Sequence, residues 1–235
     1  MRLNKFLAQA GIASRRKCDE LIKSGAISVN ENKVTEMGYI VDEKKDKVCV
    51  NGEPVVSSQY VYYKLNKPKG YICSASDEKG RKTIYDLIEE KDVRLFSVGR
   101  LDYNTEGLII LTNDGDFAEK IAHPSRHTEK EYRVSIEGQI FESELAVLRK
   151  GVVIDGDKLP AAKVKYISFI DKVTKLSIII DEGQNRQIRR MFEGIGREII
   201  LLKRVRIGNV LLGGLGRGKY KPLTQEEFIS LERGK

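Results

Sequence analysis

One loop of the sequence places a carboxylate close to a guanidinium, a combination that can supply a nucleophile or a general base. Asp102 follows Arg100 inside 99–107, a stretch rich in Asp, Asn and Gly that separates the apolar runs 95–98 and 108–111. This composition predicts a turn between two strands. Because a carboxylate in such a loop is most often only a turn former, the residues alone leave a catalytic role for Asp102 open.

A second stretch whose residues could take part in chemistry lies about 80 residues further on, at 182–192. Ile188, Met191 and Phe192 recur at helical spacing, which predicts a helix over 186–194 with one buried face. Its arginines fall on the other sides: Arg186, Arg189 and Arg190. A guanidinium next to a carboxylate keeps that carboxylate ionised at neutral pH. Alternatively, 186–194 is only a basic helix on the protein surface, and its arginines have no role in chemistry.

The basic excess of the chain is concentrated near its C-terminal end. The net charge is +8, and the segment 183–221 alone carries ten Lys/Arg against two Asp/Glu. A phosphate-facing surface needs such a concentration, although a solvated charged face would look the same. Within this segment, 203–208 is predicted to be a basic strand that lines a nucleic-acid path. Its cations are Lys203, Arg204 and Arg206.

The N-terminal segment is predicted to contain two short helices. Gly11 suits the end of the first helix, and Ser14 can cap the second. Three cations occupy the first turn of the second helix: Arg15, Arg16 and Lys17. The helix dipole already favours an anion there, so phosphate is an attractive partner. An exposed helix start would tolerate the same charges at a small cost in stability.

Composition excludes several classes of protein. No apolar run is long enough to cross a bilayer, and the N-terminus lacks the pattern of a signal peptide. The cysteines are odd in number and widely spaced: Cys18, Cys49 and Cys73. We therefore expect reduced thiols in a cytoplasmic protein.

Two motifs that could suggest a ligand are incomplete. The stretch 213–219 resembles part of a phosphate-binding loop, but Tyr220 stands where a Mg²⁺-binding Ser or Thr is needed. His123 and His127 are four residues apart, yet Pro124 disfavours the helix that would align them on zinc. We expect neither nucleotide nor metal binding.

The N-terminal segment resembles the S4 RNA-binding domain. The resemblance is carried by RLNKFL at 2–7, GIASRR at 11–16 and GAISVN at 25–30. It implies docking on structured RNA through the first turn of the second helix.

The stretch from 99 to 115, with GRLD followed by LTNDG, resembles the signature of the pseudouridine synthases of the RsuA/RluB type. In that family the Asp of GRLD is catalytic, which implies this role for Asp102. A Tyr in a matching K-x-Y-x-V strand stacks on the target base, which implies Tyr132. An Arg in the family's second signature pairs with the catalytic Asp, which implies Arg189. Further RNA contacts are expected at Arg100, Arg186, Gln187 and Arg190.

The expected fold is α+β, with two domains. Residues 1–56 form a small S4-like α/β RNA-binding domain, and 59–235 form a catalytic domain with a mixed, mainly antiparallel sheet and flanking helices. Strands are expected over 26–29, 48–50, 55–56, 60–64, 108–111, 132–136, 163–167, 176–180 and 198–202, with a tight turn at 51–52. Later helices are expected over 117–122, 142–148, 186–194 and 225–231. Taken alone, the alternation around Tyr132 and Val134 favours an edge strand with both side chains pointing inward.

The resemblance implies isomerisation of a uridine to pseudouridine in ribosomal RNA. The uridine is flipped out, Asp102 drives cleavage of the glycosidic bond, and the uracil re-attaches through carbon. The residues at 77–82 and 103–104 resemble the branch of the family that modifies the large subunit more than the small-subunit branch. We therefore expect 23S RNA as the substrate, with 16S RNA as the alternative. We expect a cytoplasmic monomer without metal, nucleotide or redox cofactor, acting on free RNA or on a precursor subunit.

Two rival functions use the same features. A non-catalytic RNA-binding or ribosome-assembly factor would depend on Arg15, Arg16 and Lys203 but not on Asp102. An RNA methyltransferase would need a glycine-rich cofactor loop after an early strand, and the sequence has none.

Overall fold

The computed structural model describes residues 1–56, 58–75, 77–90, 93–154 and 156–234. The chain divides into two compact units. The first contains Met1–Val61, Glu90–Leu95 and Asn113–Gly115, and the second contains Tyr62–Glu89, Phe96–Thr112 and Asp116–Lys235.

The first unit consists of two helices and a small antiparallel sheet with strand order β2-β1-β3-β4. Its elements are α1 (Leu3–Gln9), α2 (Arg15–Lys23), β1 (Ile27–Val29), β2 (Asn32–Val34), β3 (Val48–Val50) and β4 (Glu53–Pro54). The predicted cap of α2 is confirmed, because Ser14 Oγ accepts a hydrogen bond from the Lys17 backbone N at 3.2 Å. Gly11 follows α1 with φ +85°, as the end of a helix requires.

The hairpin between β3 and β4 has the predicted tight turn. Asn51 and Gly52 have φ values of +51° and +87°, which a two-residue hairpin loop requires. Because this loop is so short, Val50 pairs directly with Glu53. The strand predicted at 55–56 is therefore wrong by two residues.

The second unit is built on a large mixed sheet with flanking helices. The strands of this sheet are β5 (Tyr62–Lys67), β6 (Phe96–Val98), β7 (Glu106–Thr112), β8 (Lys130–Glu137), β11 (Lys163–Ile170), β12 (Val173–Ile180), β13 (Ile199–Ile207), β14 (Val210–Leu211) and β15 (Tyr220–Pro222). A separate two-stranded sheet contains β9 (Val153–Ile154) and β10 (Asp157–Lys158). The main path runs β11-β12-β8-β13-β7-β5-β15, with β14 on β13 and β6 on β7. Strand β13 is parallel to β7, and the other strand pairings described in this sheet are antiparallel. The expected α+β fold with a mixed, mainly antiparallel sheet is confirmed.

The helices predicted for this unit are found within two residues of their predicted ends. They are α3 (Gly115–Ala122), α4 (Glu142–Lys150), α5 (Gln187–Gly194) and α6 (Gln225–Arg233). Helix α5 buries Ile188, Met191 and Phe192, the face that their spacing predicts.

Strand β8 lies in the interior of the sheet, between β12 and β13. The expectation of an edge strand is therefore wrong, because two pairings distant in sequence cover both of its sides. The inward direction of Tyr132 and Val134 is confirmed, since they are 7% and 1% exposed.

A β-bulge interrupts the pairing of β13 with β8. Arg204 lies opposite Tyr132, whereas Arg206 lies opposite Glu131, so one extra residue of β13 has no partner. Neighbouring side chains along β8 point to opposite faces of the sheet. The bulge therefore places Arg204 and Arg206 on opposite faces.

Candidate active site

Asp102 lies in the loop that joins β6 to β7, as the sequence predicts. The chain enters this loop through Gly99, whose φ of +71° reverses its direction at little steric cost. The Thr105 backbone N donates a hydrogen bond to Asp102 O at 3.0 Å and closes a turn. The Asp102 residue is partly exposed and contributes to the wall of a cavity.

A buried lysine donates hydrogen bonds to the backbone of this loop. Lys67, at the end of β5, is 0% exposed. Its Nζ lies 3.0 Å from Asp102 O, 2.8 Å from Thr105 O and 3.1 Å from Pro68 O, with Tyr103 O at 3.5 Å. Burial lowers the pKa of Lys67, while the nearby Cys73, Asp102 and Glu106 oppose that shift. The lysine thus fixes the backbone that carries Asp102.

The strand after the loop approaches β13 very closely. Gly107 has φ +106°, and a Cβ at this position would lie 2.1 Å from Arg204 O. Only glycine can occupy such a position without moving the backbone. The glycine therefore lets the parallel strands β7 and β13 dock beside the Asp102 loop.

Tyr132 and Arg204 face each other across β8 and β13. The Arg204 Nη1 donates to the Tyr132 hydroxyl at 3.4 Å, and its Nε donates to Leu108 O at 2.7 Å. Both side chains contribute to the same cavity wall as Asp102. The central strand β13 thus links the strand that follows Asp102 to the strand that carries Tyr132.

Arg189 lies in the first turn of α5, and its Nη2 donates to Asn104 O at 2.9 Å. Among the residues that the structure describes, no hydrogen bond or ion pair joins Arg189 to the Asp102 carboxylate. The direct ion pair implied by the resemblance is thus not formed here, because the guanidinium binds the loop backbone two residues further on. Burial lowers the pKa of Arg189, Arg186 adds to this effect, and the negative charge of Asp102 opposes it.

These groups surround one cavity of about 730 Å³. The cationic side chains of its wall are Arg81, Arg100, Lys130, Arg186, Arg189 and Arg204. Burial, together with the charge of Arg204, lowers the pKa of Lys130 to about 8, while Asp181 opposes the shift. A concave site with this excess of cations favours an anionic polymer such as a nucleic acid.

Several of the predicted RNA contacts lie at the surface. Those that are exposed are Arg15, Arg16 and Lys17 in the first unit and Arg100 and Arg186 in the second. Lys17 also pairs with Glu20 at 2.6 Å. Lys203 is partly exposed on β13.

The remaining predicted contacts are less accessible than the sequence suggests. Arg204 is 3% exposed and lies inside the cavity wall. Gln187 is also 3% exposed, and its Oε1 accepts from the Gln184 backbone N at 3.2 Å. Arg190 pairs with Asp157 at 3.5 Å.

The basic strand does not present its cations along one path. Arg206 pairs with Glu129 and Glu131, both at 3.1 Å, on the face opposite Arg204. The expectation that Lys203, Arg204 and Arg206 line a single RNA path is therefore wrong. The β-bulge separates two of these side chains, and carboxylates neutralise one of them.

Three residues near the site were not predicted from the sequence: Lys67 and Cys73 beside the loop, and Lys130 in the cavity wall. The Cys73 thiol lies 3.4 Å from both N and O of Leu101, and burial raises its pKa. A lysine next to Pro68 at the end of a strand is only a weak signal for Lys67. Its partners are backbone carbonyls, which leave no trace in a side-chain pattern.

Among the described residues, no helix is both long and apolar enough to span a membrane. The same residues contain no group of three or more His, Cys, Asp or Glu side chains that could hold a metal ion.

The family models match two segments of the chain. Residues 61–194 match the model described as RNA pseudouridylate synthase, and residues 1–46 match the S4 domain. The chain belongs to the RNA pseudouridylate synthase family. The resemblance seen at GRLD and at the N-terminal helices is thereby confirmed, and the protein is an enzyme that forms pseudouridine.

Relatives of this synthase are similar along nearly its whole length. It is 44% identical to the ribosomal large subunit pseudouridine synthase B of Bacillus subtilis, over 98% of this chain and 95% of the relative. It is 39% identical to an uncharacterized RNA pseudouridine synthase of Aquifex aeolicus, over 98% and 93% of the two chains. A crystal structure of a pseudouridylate synthase is 31% identical, with a TM-score of 0.70 and coverage of 98% and 99%.

Proposed function

We propose that this synthase converts one uridine of large-subunit ribosomal RNA to pseudouridine, with Asp102 as the catalytic carboxylate. The name of the Bacillus subtilis relative supports the large subunit as the source of substrate. The observation that carries the role of Asp102 is its position in a cationic cavity, on a loop whose backbone is held by Lys67 and Arg189. A residue that must act on a sugar needs such a fixed position.

In this proposal the two domains have different functions. Residues 1–56 dock on structured RNA, and the exposed cations of the α2 first turn contact phosphates. Residues 59–235 carry out the chemistry. We further propose that the enzyme is a monomer of the cytoplasm that acts on free ribosomal RNA or on a precursor subunit.

Tyr132 receives the flipped uridine in this proposal. Stacking of a base on an aromatic ring contributes about 1–3 kcal/mol, which offsets part of the cost of unstacking the uridine from the RNA. The bond from Arg204 to the Tyr132 hydroxyl supports a fixed ring orientation. In this proposal Arg100, which is exposed at the cavity, contacts the opened RNA.

The reaction needs no external atoms. Asp102 either attacks C1′ or removes a proton from the sugar, and the C1′–N1 bond breaks with its electron pair on the uracil. The uracil turns and C5 bonds to C1′, either as the C1′–O bond to Asp102 breaks or as Asp102 returns the proton to the sugar. A proton then leaves C5, N1 gains a proton, and the carboxylate is restored. Arg189 contributes its positive charge near Asp102 and holds the Asn104 carbonyl.

The first experiment maps pseudouridine in unmodified ribosomal RNA incubated with the enzyme, by carbodiimide labelling and primer extension. One new stop in large-subunit RNA that disappears with Asp102→Asn, at retained RNA affinity, is the expected result. A stop in small-subunit RNA would overturn the substrate assignment. If free RNA is inert, precursor subunits are used next. RNA binding without any stop on either substrate would favour an assembly factor.

A further inference from the structure

Arg204 is a buried cation without a carboxylate partner in the part of the chain that the structure describes. The residue is 3% exposed, and its Nε and Nη1 donate to Leu108 O and to the Tyr132 hydroxyl. Its Nη2 is buried and has no hydrogen-bond partner, and no ion pair involves Arg204 among the residues that the structure describes. Leaving a buried charged group unpaired is costly, so a partner is expected from outside the chain.

The position of Arg204 points to the substrate as that partner. Strand β13 lies between β7 and β8, and Arg204 is in register with Gly107 on one side and Tyr132 on the other. Its side chain therefore lies between the strand that follows the Asp102 loop and the residue proposed to stack on the base. Asp102, Tyr132 and Arg204 all line the same cavity.

Two further cations lie near Arg204: Lys67, which is buried, and Lys130, which is partly buried. The positive charge of Arg204 lowers the pKa of both Lys67 and Lys130. The ammonium groups of these lysines donate to backbone carbonyls: four for Lys67, and Thr128 O and Asp181 O for Lys130. Positive charge is thus concentrated at this side of the cavity, where Asp102, Glu106 and Asp181 oppose it only in part.

We propose that Arg204 stabilises the negative charge that appears on the uracil ring when the C1′–N1 bond breaks. The inference rests on the proposed function and adds a residue to its chemistry. The electron pair of the broken bond stays on N1 and is delocalised onto O2 and O4, and the free Nη2–H of Arg204 donates to one of these oxygens. No proton is transferred to or from the guanidinium. The same attraction keeps the detached base in the cavity while it turns.

The test compares uridine with 5-fluorouridine at the target position of the RNA, under single turnover. Fluorine at C5 withdraws electrons, so the fluorinated base leaves more easily and needs less stabilisation. We expect Arg204→Gln to consume uridine about 100-fold more slowly, as for the loss of one oxyanion donor, with RNA affinity retained. The loss on 5-fluorouridine is expected to be clearly smaller, and Arg204→Lys to retain more activity than Arg204→Gln.

Arg197→Gln is the matched control. Arg197 pairs with Glu144 at 2.6 Å and does not line the cavity, so its loss should leave both rates unchanged. Equal losses on the two substrates by Arg204→Gln would overturn the proposal and assign Arg204 a structural role. An unchanged rate would also overturn it. A wild-type enzyme that forms no pseudouridine would instead refute the proposed function.

A ligand measurement on the unaltered enzyme covers the case in which Arg204→Gln does not fold. At neutral pH 5-nitrouracil is an anion, whereas uracil is neutral. We expect 5-nitrouracil to inhibit at least about tenfold more strongly than uracil, a difference of about 1.4 kcal/mol. Equal inhibition would contradict a cavity that is built for a uracil anion.

Discussion

Replacing Lys67 by methionine should disturb the Asp102 loop without touching the Asp102 side chain. The bonds from Nζ to Asp102 O and Thr105 O, at 3.0 and 2.8 Å, are the shortest of its four contacts. Charge-assisted hydrogen bonds contribute about 1.5–3 kcal/mol each, so losing both costs about 3–6 kcal/mol. Methionine also removes the desolvation cost of the buried ammonium group, which offsets several kcal/mol of this loss. We expect a net destabilisation of about 1–3 kcal/mol.

The rate should fall further than this stability change requires. A displacement of a catalytic group by about 1 Å lowers turnover about 100-fold, and the carbonyls of the loop are no longer held once Nζ is gone. Single-turnover formation of pseudouridine and urea unfolding on the same preparation measure the two effects separately.

Lys69→Met is the control for Lys67→Met. Lys69 is exposed, and its Nζ donates to Ile200 O at 3.1 Å, away from the loop carbonyls. Its replacement should change stability by less than about 0.5 kcal/mol and leave the rate unchanged. The reasoning is refuted if Lys67→Met turns over at the wild-type rate, or if its rate falls only in proportion to the fraction of unfolded protein.

Two further predictions concern the same part of the sheet. Gly107→Ala should lower the free energy of unfolding by about 3 kcal/mol or more, since its Cβ would lie 2.1 Å from Arg204 O. The control is Gly214→Ala, whose Cβ would have no atom of a described, non-adjacent residue within 4 Å, and thermal unfolding compares the two variants. Equal melting temperatures of the two variants would contradict the close approach of Gly107 to Arg204. The pKa of Lys130 falls from 10.5 to about 8 on folding, so the unfolded chain binds more protons between these pH values. The stability of the wild type relative to Lys130→Met should therefore rise from pH 8 to pH 10.5, and a constant difference would show that the pKa of Lys130 is not lowered.

Local patterns predicted the helices and the position of the candidate loop well. The cap at Ser14 and the buried face of α5 depend on residues a few positions apart, and their interactions follow from helix geometry alone. The loop around Asp102 was recognised because its residues are contiguous.

Features that depend on distant pairings were not predictable in the same way. Lys67 meets the Asp102 backbone across 35 positions, and Arg204 meets Leu108 O across 96. Both bonds end on carbonyl oxygens, which every residue has. The burial of Arg204 further depends on the parallel pairing of β13 with β7, which no local pattern reveals.

The bulge in β13 has a consequence for the length of this segment. In a regular strand, residues two positions apart share a face. Because the extra residue lies between them, Arg204 instead faces the cavity and Arg206 pairs with Glu131 on the opposite face. Deleting Val205 would make the two arginines adjacent, and adjacent residues of a regular strand still lie on opposite faces. Homologous chains should therefore keep the two arginines on opposite faces either with an extra residue at Val205 or with a strand that is one residue shorter.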